Sequence, residues 1–223
     1  MVLAVYTAFY FTLRHDVGKR EHIMTVSLKK GDTFLLNDAD GNALNNVIAG
    51  LGWDANLKKE GSFFKRLFSE APKFDCDATV LVCKDGKVTG LEDVVFYENL
   101  KHKSGAVEHT GDNRSGQGEG DDEQIIVHPC DIPAEYDKLI FIVNIFEPET
   151  RKQNFGMVTN AFIRFVNADN DTEICRFDLT SDYSNETAMV FGELVRKDNG
   201  WEFKALGEGT SDTCLEDIVK RYH

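Results

Sequence analysis

The sequence predicts an all-β fold, a β-sandwich of about ten strands with a short insert helix and a C-terminal helix. Three observations lead to this prediction. Short runs rich in Val, Ile, Phe and Thr recur along the chain, and Asp, Asn and Gly residues separate them. Two of the separators, Asp85-Gly86 and Asn199-Gly200, are dipeptides typical of two-residue β-hairpins.

The strand pattern takes two forms. Residues 173–179 alternate, with Cys175, Phe177 and Leu179 on one face, which is typical of a half-buried strand. Residues 139–146 are apolar on both faces apart from Asn144, so we expect this strand to lie centrally between two layers. The predicted strands are 26–28, 47–51, 78–83, 94–97, 124–127, 139–146, 161–167, 173–179, 188–196 and 201–205.

Two segments have the apolar spacing of a helix. Residues 62–70 form the first, and its basic, apolar surroundings at 58–73 are typical of a helix that faces the core or one that docks on a partner or membrane surface. Residues 212–222 form the second, with Ser211 or Asp212 as the expected N-cap. The apolar stripes are Phe63, Phe64, Leu67 and Phe68 in the first, and Leu215, Ile218, Val219 and Tyr222 in the second.

The chain divides into an N-terminal extension, residues 1–23, and one domain, residues 24–223. Residues 1–13 are apolar but too short to span a bilayer as a helix. They also lack the basic start and the cleavage site of a signal peptide. We therefore expect residues 1–23 to lie outside the folded domain and to reflect an upstream start codon.

The composition excludes some classes of function. A net charge of −13 and a pI near 4.9 argue against nucleic-acid binding, because phosphate contacts need clustered Lys and Arg. This negative net charge favours the binding of cations or of basic protein partners. The five cysteines form no C-x-x-C pair, which indicates reduced thiols in a cytoplasmic protein.

An acidic stretch at 111–123 is the most informative feature for function. Five carboxylates and two side-chain amide oxygens occur there among four glycines, with no cysteine. An all-oxygen donor set favours Ca²⁺, although a solvated acidic turn is the alternative. The stretch is not an EF-hand, because Arg114 and Gly116 occupy the third and fifth positions counted from Asp112.

Other acids add to this candidate site. Asp75 and Asp77 lie on the same side of an entering strand, where they repel unless a cation or solvent separates them. Asp54 follows an apolar strand and Trp53, and the alternative to a metal-binding role for it is a turn or capping role.

The sequence has no nucleophile elbow, phosphate-binding loop or zinc-protease motif, so we expect no enzyme. His102 and His109 are expected to be surface residues.

Several motifs together resemble the tellurium-resistance TerD family, in order and over nearly all of residues 24–209. Two departures are a longer, more basic insert at 57–73 and Cys76 at a position where an aliphatic residue is expected. The motifs are Val26-Ser27-Leu28-x-Lys30-Gly31, Gly50-Leu51-Gly52-Trp53-Asp54, Phe74-Asp75-x-Asp77-Ala78, Phe96-Tyr97-x-Asn99-Leu100, the 111–123 loop, Gln153-x-Phe155-Gly156, residues 186–194 and Gly200-Trp201-x-Phe203.

The resemblance implies a cytoplasmic, calcium-binding β-sandwich of bacterial tellurite-resistance and stress-response systems. Such a protein would bind two Ca²⁺ ions and act with protein partners, among them a membrane protein, without spanning the membrane itself. A metal-dependent hydrolase, or a protein that binds a small anion such as a nucleotide through calcium, is the alternative. The implied metal ligands are Asp54, Asp75, Asp77, Asp112, Asn113, Asp121, Asp122 and Glu123.

Overall fold

The computed structural model describes residues 25–38, 40–55, 75–111, 120–179 and 183–223, which form two six-stranded sheets. Sheet A has the strand order β1-β10-β9-β3-β7-β6, and sheet B has the order β2-β12-β11-β8-β4-β5. The strands are β1 (Val26–Leu28), β2 (Thr33–Leu35), β3 (Val47–Ala55), β4 (Cys76–Cys83), β5 (Val94–Val95), β6 (Val107–His109), β7 (Glu123–Val127), β8 (Lys138–Ile145), β9 (Val158–Asn167), β10 (Thr172–Asp178), β11 (Ala188–Lys197) and β12 (Gly200–Thr210).

The predicted all-β sandwich is confirmed. Neighbouring strands of the described residues pair antiparallel, except that β1 pairs with β10 in parallel. Strands β2 and β6 were not predicted from the sequence. Each has three residues, which is too short for an alternating pattern to stand out.

The main core lies between the sheets, and a smaller one lies outside sheet B. Phe165 of sheet A meets Phe141 and Phe203 of sheet B, with ring centroids 5.6 Å and 4.6 Å apart. Ile140 and Ile142 face the other way, into the smaller cluster. The prediction that residues 139–146 lie between two layers is therefore confirmed, because β8 packs on both faces.

Both predicted hairpin turns are present. Asp85 and Gly86 have φ values of +52° and +72°, and Lys84 pairs with Lys87 across them. At the second turn Lys197 pairs with Gly200, so the two loop residues are 198 and 199. Gly200, with φ +133°, is therefore the first residue of β12 and not part of the loop.

The α-helices of the described residues are short: α1 (Pro148–Arg151) and α2 (Leu215–Lys220). The predicted C-terminal helix is confirmed as α2, but Ser211 and Asp212 are not its N-cap, which is Cys214. Asp212 instead pairs with Arg221, at 2.8 Å. The predicted insert helix and residues 1–23 fall outside the described residues. Within the described ranges, no helix has the length and apolar character needed to cross a membrane.

Candidate metal site

Acids from three segments meet at one end of the sandwich. Because β3 and β7 are antiparallel neighbours, the end of β3 lies beside the start of β7. The start of β4 lies near them as well, with its first residue, Cys76, fully buried. Burial, followed by the charges of Asp77, Glu123, Asp75 and Asp122, raises the pKa of the Cys76 thiol well above its usual value. Four of the predicted ligands thus lie near one thiol.

Asp54 and Asp122 both line an open cleft of about 450 Å³, which Asn160 and Phe162 also line. The Trp53 amide donates to Asp122 Oδ2 at 2.7 Å, and Asn160 Nδ2 donates to Asp54 Oδ2 at 2.8 Å. Burial raises the pKa of Asp122 to about 6, despite the bond from Trp53, and the charges of Asp54, Glu123 and Asp121 add to this effect. An ionised Asp122 is therefore destabilised here, and a cation would relieve the repulsion.

Two arginines that line the same cleft already have acidic partners. Arg164 contacts Asp121 through Nε at 2.6 Å and through Nη2 at 3.0 Å, and it also contacts Glu173 at 3.0 Å. Arg176 contacts Asp178 at 2.8 Å and lies over the Phe162 ring. Their positive charge is therefore largely neutralised by these partners.

Asp121 itself serves as a structural anchor. Its side chain is only 1% exposed, and Gln124 Nε2 also donates to it at 3.0 Å. It packs directly on Gly50, where an added Cβ would lie 2.2 Å from its carboxylate. The glycine at position 50 is therefore required by this close approach, and Arg164 holds the carboxylate that the sequence suggested as a ligand.

Glu123 connects the two sheets. It is 2% exposed and accepts from the Ala78 amide of sheet B at 2.6 Å and from His109 Nε2 at 3.2 Å. His109 Nδ1 accepts in turn from the Gly111 amide at 3.0 Å. The side chain of His109 therefore positions the start of the acidic loop.

Asp75 and Asp77 are placed differently from one another. Asp75 Oδ2 lies 3.1 Å from Arg151 Nη1. Asp77 is buried on the outer face of sheet B, because Cys76 and Ala78 on either side of it point into the main core. Asp112 and Asn113 lie outside the described residues. In the part of the chain that is described, no group of three or more His, Cys, Asp or Glu side chains is arranged to hold a metal ion.

The expectation that His102 and His109 lie on the surface is wrong, since they are 1% and 2% exposed. His109 lies on the same strand face as the buried Val107, so the alternation of this strand could have indicated that His109 is buried. His102 Nε2 lies 3.2 Å from the buried Asp93, which Tyr136 also contacts. Nothing in the local sequence indicated this second network, which lies apart from the cleft.

The raised pKa of Asp122 predicts a pH dependence of stability in calcium-free protein. Because its folded pKa, about 6, exceeds its ordinary 3.8, this group stabilises the fold fully below pH 3.8. That contribution is lost as the pH rises through 6. Relative to wild type, Asp122→Asn should gain about 1–2 kcal/mol between pH 4 and 7. Urea unfolding at both values measures this gain, and a carboxyl ¹³C titration midpoint near 4 would contradict the prediction.

This chain is similar to known proteins over most of its length. The family model described as the TerD domain matches residues 24–222. Stress response protein SCP2 of Bacillus subtilis (strain 168) is 43% identical over 199 residues, which are 89% of this chain and 100% of that protein. Tellurium resistance protein TerD of Serratia marcescens is 46% identical over 187 residues, covering 83% of this chain and 91% of that one.

A solved structure shares the fold. The crystal structure of a homologue of telluride resistance protein (TerD) from Streptomyces coelicolor A3(2) matches with a TM-score of 0.60 at 17% identity. The match covers 81% of this chain and 99% of that chain. The family model and the relatives show that this chain belongs to the TerD family of tellurium-resistance and general stress-response proteins.

Proposed function

We propose that this chain is a cytoplasmic Ca²⁺-binding interaction module of a tellurite-resistance or general stress-response system. The observation that carries the proposal is the Asp54–Asp122 pair in an open cleft, where burial and neighbouring acids raise the pKa of Asp122 to about 6. A divalent ion between these carboxylates would offset both their desolvation and their repulsion.

The donors in the cleft fit calcium. They are carboxylate oxygens, and calcium prefers six to eight oxygen ligands in adaptable geometry. The two described acids supply part of such a shell, and the loop that follows Gly111 would supply the rest through Asp112, Asn113, backbone carbonyls and water. Asp121 and Glu123 would act indirectly, because Arg164 and His109 hold their carboxylates.

A second ion belongs to the proposal at Asp75 and Asp77, which lie on either side of Cys76, the first residue of β4. This ion would have to displace Arg151 from its 3.1 Å contact with Asp75. We therefore expect it to bind more weakly than the ion at Asp54 and Asp122.

Binding of the ion at Asp54 and Asp122 would complete a surface for a protein partner. A membrane protein of the same resistance system is the partner class we propose. Relatives named for tellurium resistance and for stress response support this setting. The proposed role is binding and not catalysis.

Calcium titration tests the proposal. A ligand at a hundred times its Kd adds about 2.7 kcal/mol to stability, so calcium should raise the melting temperature and chelator should reverse the rise. Asp54→Asn and Asp122→Asn should each remove most of this increase. Asp198→Asn, in the exposed β11–β12 turn, is the matched control and should retain it.

An unchanged melting temperature over a millimolar range of calcium would refute the calcium site. Turnover of a phosphoester that disappears in Asp122→Asn would replace the binding role with the hydrolase alternative. Calorimetric titration of a nucleotide with and without calcium would distinguish anion binding from docking of a protein.

A further inference from the structure

A second cavity of about 450 Å³ lies on the outer face of sheet B, beneath α2, on the far side of that sheet from the main core. Its floor comes from β4 and β8, where Asp77 pairs with Asn144 in the strand register. Its walls include Phe96, Phe146 and Leu215. A volume of this size is within the range of small-molecule sites, which is roughly 300–1,000 Å³.

The floor of this cavity holds two buried polar atoms without a hydrogen-bond partner among the described residues. They are Thr79 Oγ1 and Asn144 Oδ1, on side chains of residues that are 1% and 8% exposed. Buried polar atoms are nearly always paired, because an unpaired one loses its interactions with water and gains nothing in return. Two such atoms on the floor of one cavity indicate that a ligand supplies the missing partners.

The charged residues around the cavity indicate which charge the ligand carries. Asp77 adds an acid to the floor, and the exposed Glu98, Glu147 and Glu216 stand at the mouth. Lys220, a cation at the mouth, lies 2.7 Å from Asp217 and is neutralised by it. The surroundings therefore favour a cation, which agrees with the net charge of −13.

The apolar side chains of the cavity indicate that the rest of the ligand is apolar. Phe96, Phe146 and Leu215 offer aromatic and aliphatic surface. Leu91, also at the mouth, is 78% exposed. An occupant with an apolar body would cover this surface, whereas a bare metal ion would leave it in water.

We propose that this cavity binds a small organic ammonium compound, a primary amine on an aromatic or branched aliphatic body. The ammonium donates to Asn144 Oδ1 and Thr79 Oγ1, and the carboxylate of Asp77 balances its charge. The apolar body packs between Phe96, Phe146 and Leu215. The Asp54–Asp122 cleft takes no part in this site.

The test uses 2-phenylethylamine, with 2-phenylethanol and 3-phenylpropanoate as probes of the same body without the positive charge. The full chain is titrated in chelator, by calorimetry and by amide NMR. We expect the amine to bind at least tenfold tighter than either control and to shift the amide signals of Thr79, Asn144 and Leu215. Asp122→Asn should leave its affinity unchanged, because Asp122 lines the other cleft, and this separates the amine site from the proposed metal site at Asp54 and Asp122.

Thr79→Val is the main variant, because it keeps the shape and removes only the hydroxyl. We expect the amine to bind about tenfold more weakly, the effect typical of one hydrogen bond to a charged group. The melting temperature of the free protein should stay equal or rise, since the lost hydroxyl had no partner. Asn144→Leu should give the same result, and Thr110→Val, at an exposed threonine just after β6, should leave the affinity for the amine unchanged.

Equal affinity for the amine and the alcohol would overturn the proposal, as would full affinity in both pocket variants. Absence of any shift at Thr79, Asn144 or Leu215 with millimolar amine would overturn it as well. A lower melting temperature of free Thr79→Val would show that the hydroxyl already has a structural partner and would also count against the site.

Discussion

Arg164→Met is expected to lower the free energy of unfolding by about 3–5 kcal/mol, the usual effect of removing one partner of a buried ion pair. We expect this loss because the side chain of Asp121 is only 1% exposed and accepts two hydrogen bonds from Arg164. Met preserves the aliphatic bulk of the arginine but leaves the carboxylate buried beside Gly50 without its cation.

Chemical denaturation at pH 7 measures this loss. Arg176→Met is the matched control on the same face of sheet A, and its partner Asp178 is 46% exposed. The control should lose only about 1 kcal/mol. A similar loss in both variants would contradict the buried-pair explanation. If calcium restored the stability of Arg164→Met, Asp121 would be a metal ligand and not a structural anchor.

Asp93→Ala is expected to lower the free energy of unfolding by about 3–5 kcal/mol as well. Asp93 is fully buried and accepts from the Thr89 hydroxyl, from His102 Nε2 at 3.2 Å and from the Tyr136 hydroxyl at 3.2 Å. Lys103 Nζ lies 2.9 Å from it. Alanine would leave the imidazole of His102 and the hydroxyl of Tyr136 buried without their acceptor.

The pH dependence provides a second measurement of this network. Burial opposes ionisation of Asp93, but hydrogen bonds from Thr89, Lys103 and His102 outweigh it and lower its pKa to about 2. A lowered folded pKa means that Asp93 stabilises the fold above its ordinary 3.8, and that this contribution is lost as the pH falls through 2. The stability difference between wild type and Asp93→Ala should therefore shrink in acid.

Asp131→Ala, which removes an exposed acid, is the control and should change stability by less than about 0.5 kcal/mol. If Asp93→Ala lowered the free energy of unfolding by less than about 1 kcal/mol, the hydrogen bonds to Asp93 would not be important for stability. A difference between wild type and Asp93→Ala that stays constant from pH 7 to pH 2 would contradict the lowered pKa of Asp93.

The fold followed closely from the local pattern. Each of the ten predicted strands has a counterpart in the structure, within a few residues at each end. This success has a physical basis, since alternation marks which strand face is buried, and Asp-Gly marks where φ becomes positive. The C-terminal helix was predicted from its apolar stripe, but its cap was not, because Asp212 binds Arg221 and not the helix end.

The acids show where local reasoning ends. The sequence indicated a set of candidate acids through their residue types, their spacing and the family resemblance: Asp54, Asp75, Asp77, Asp121, Asp122 and Glu123. Arg164 lies 43 residues from Asp121 along the chain, and Ala78 lies 45 residues from Glu123. No local pattern announces such partners. Asp93, between Glu92 and Val94, resembles an ordinary surface acid and proved fully buried.

The sequence by itself therefore determined the sandwich, the order of its strands along the chain, the family and the acidic character of one end. Only the tertiary structure decided which acids brace the protein, which ones face an open cleft, and that Thr79 and Asn144 share a second cavity. The reason is that strand formation depends on neighbours within a few residues, whereas the role of a charged or polar side chain depends on partners that the sheets bring from far along the chain.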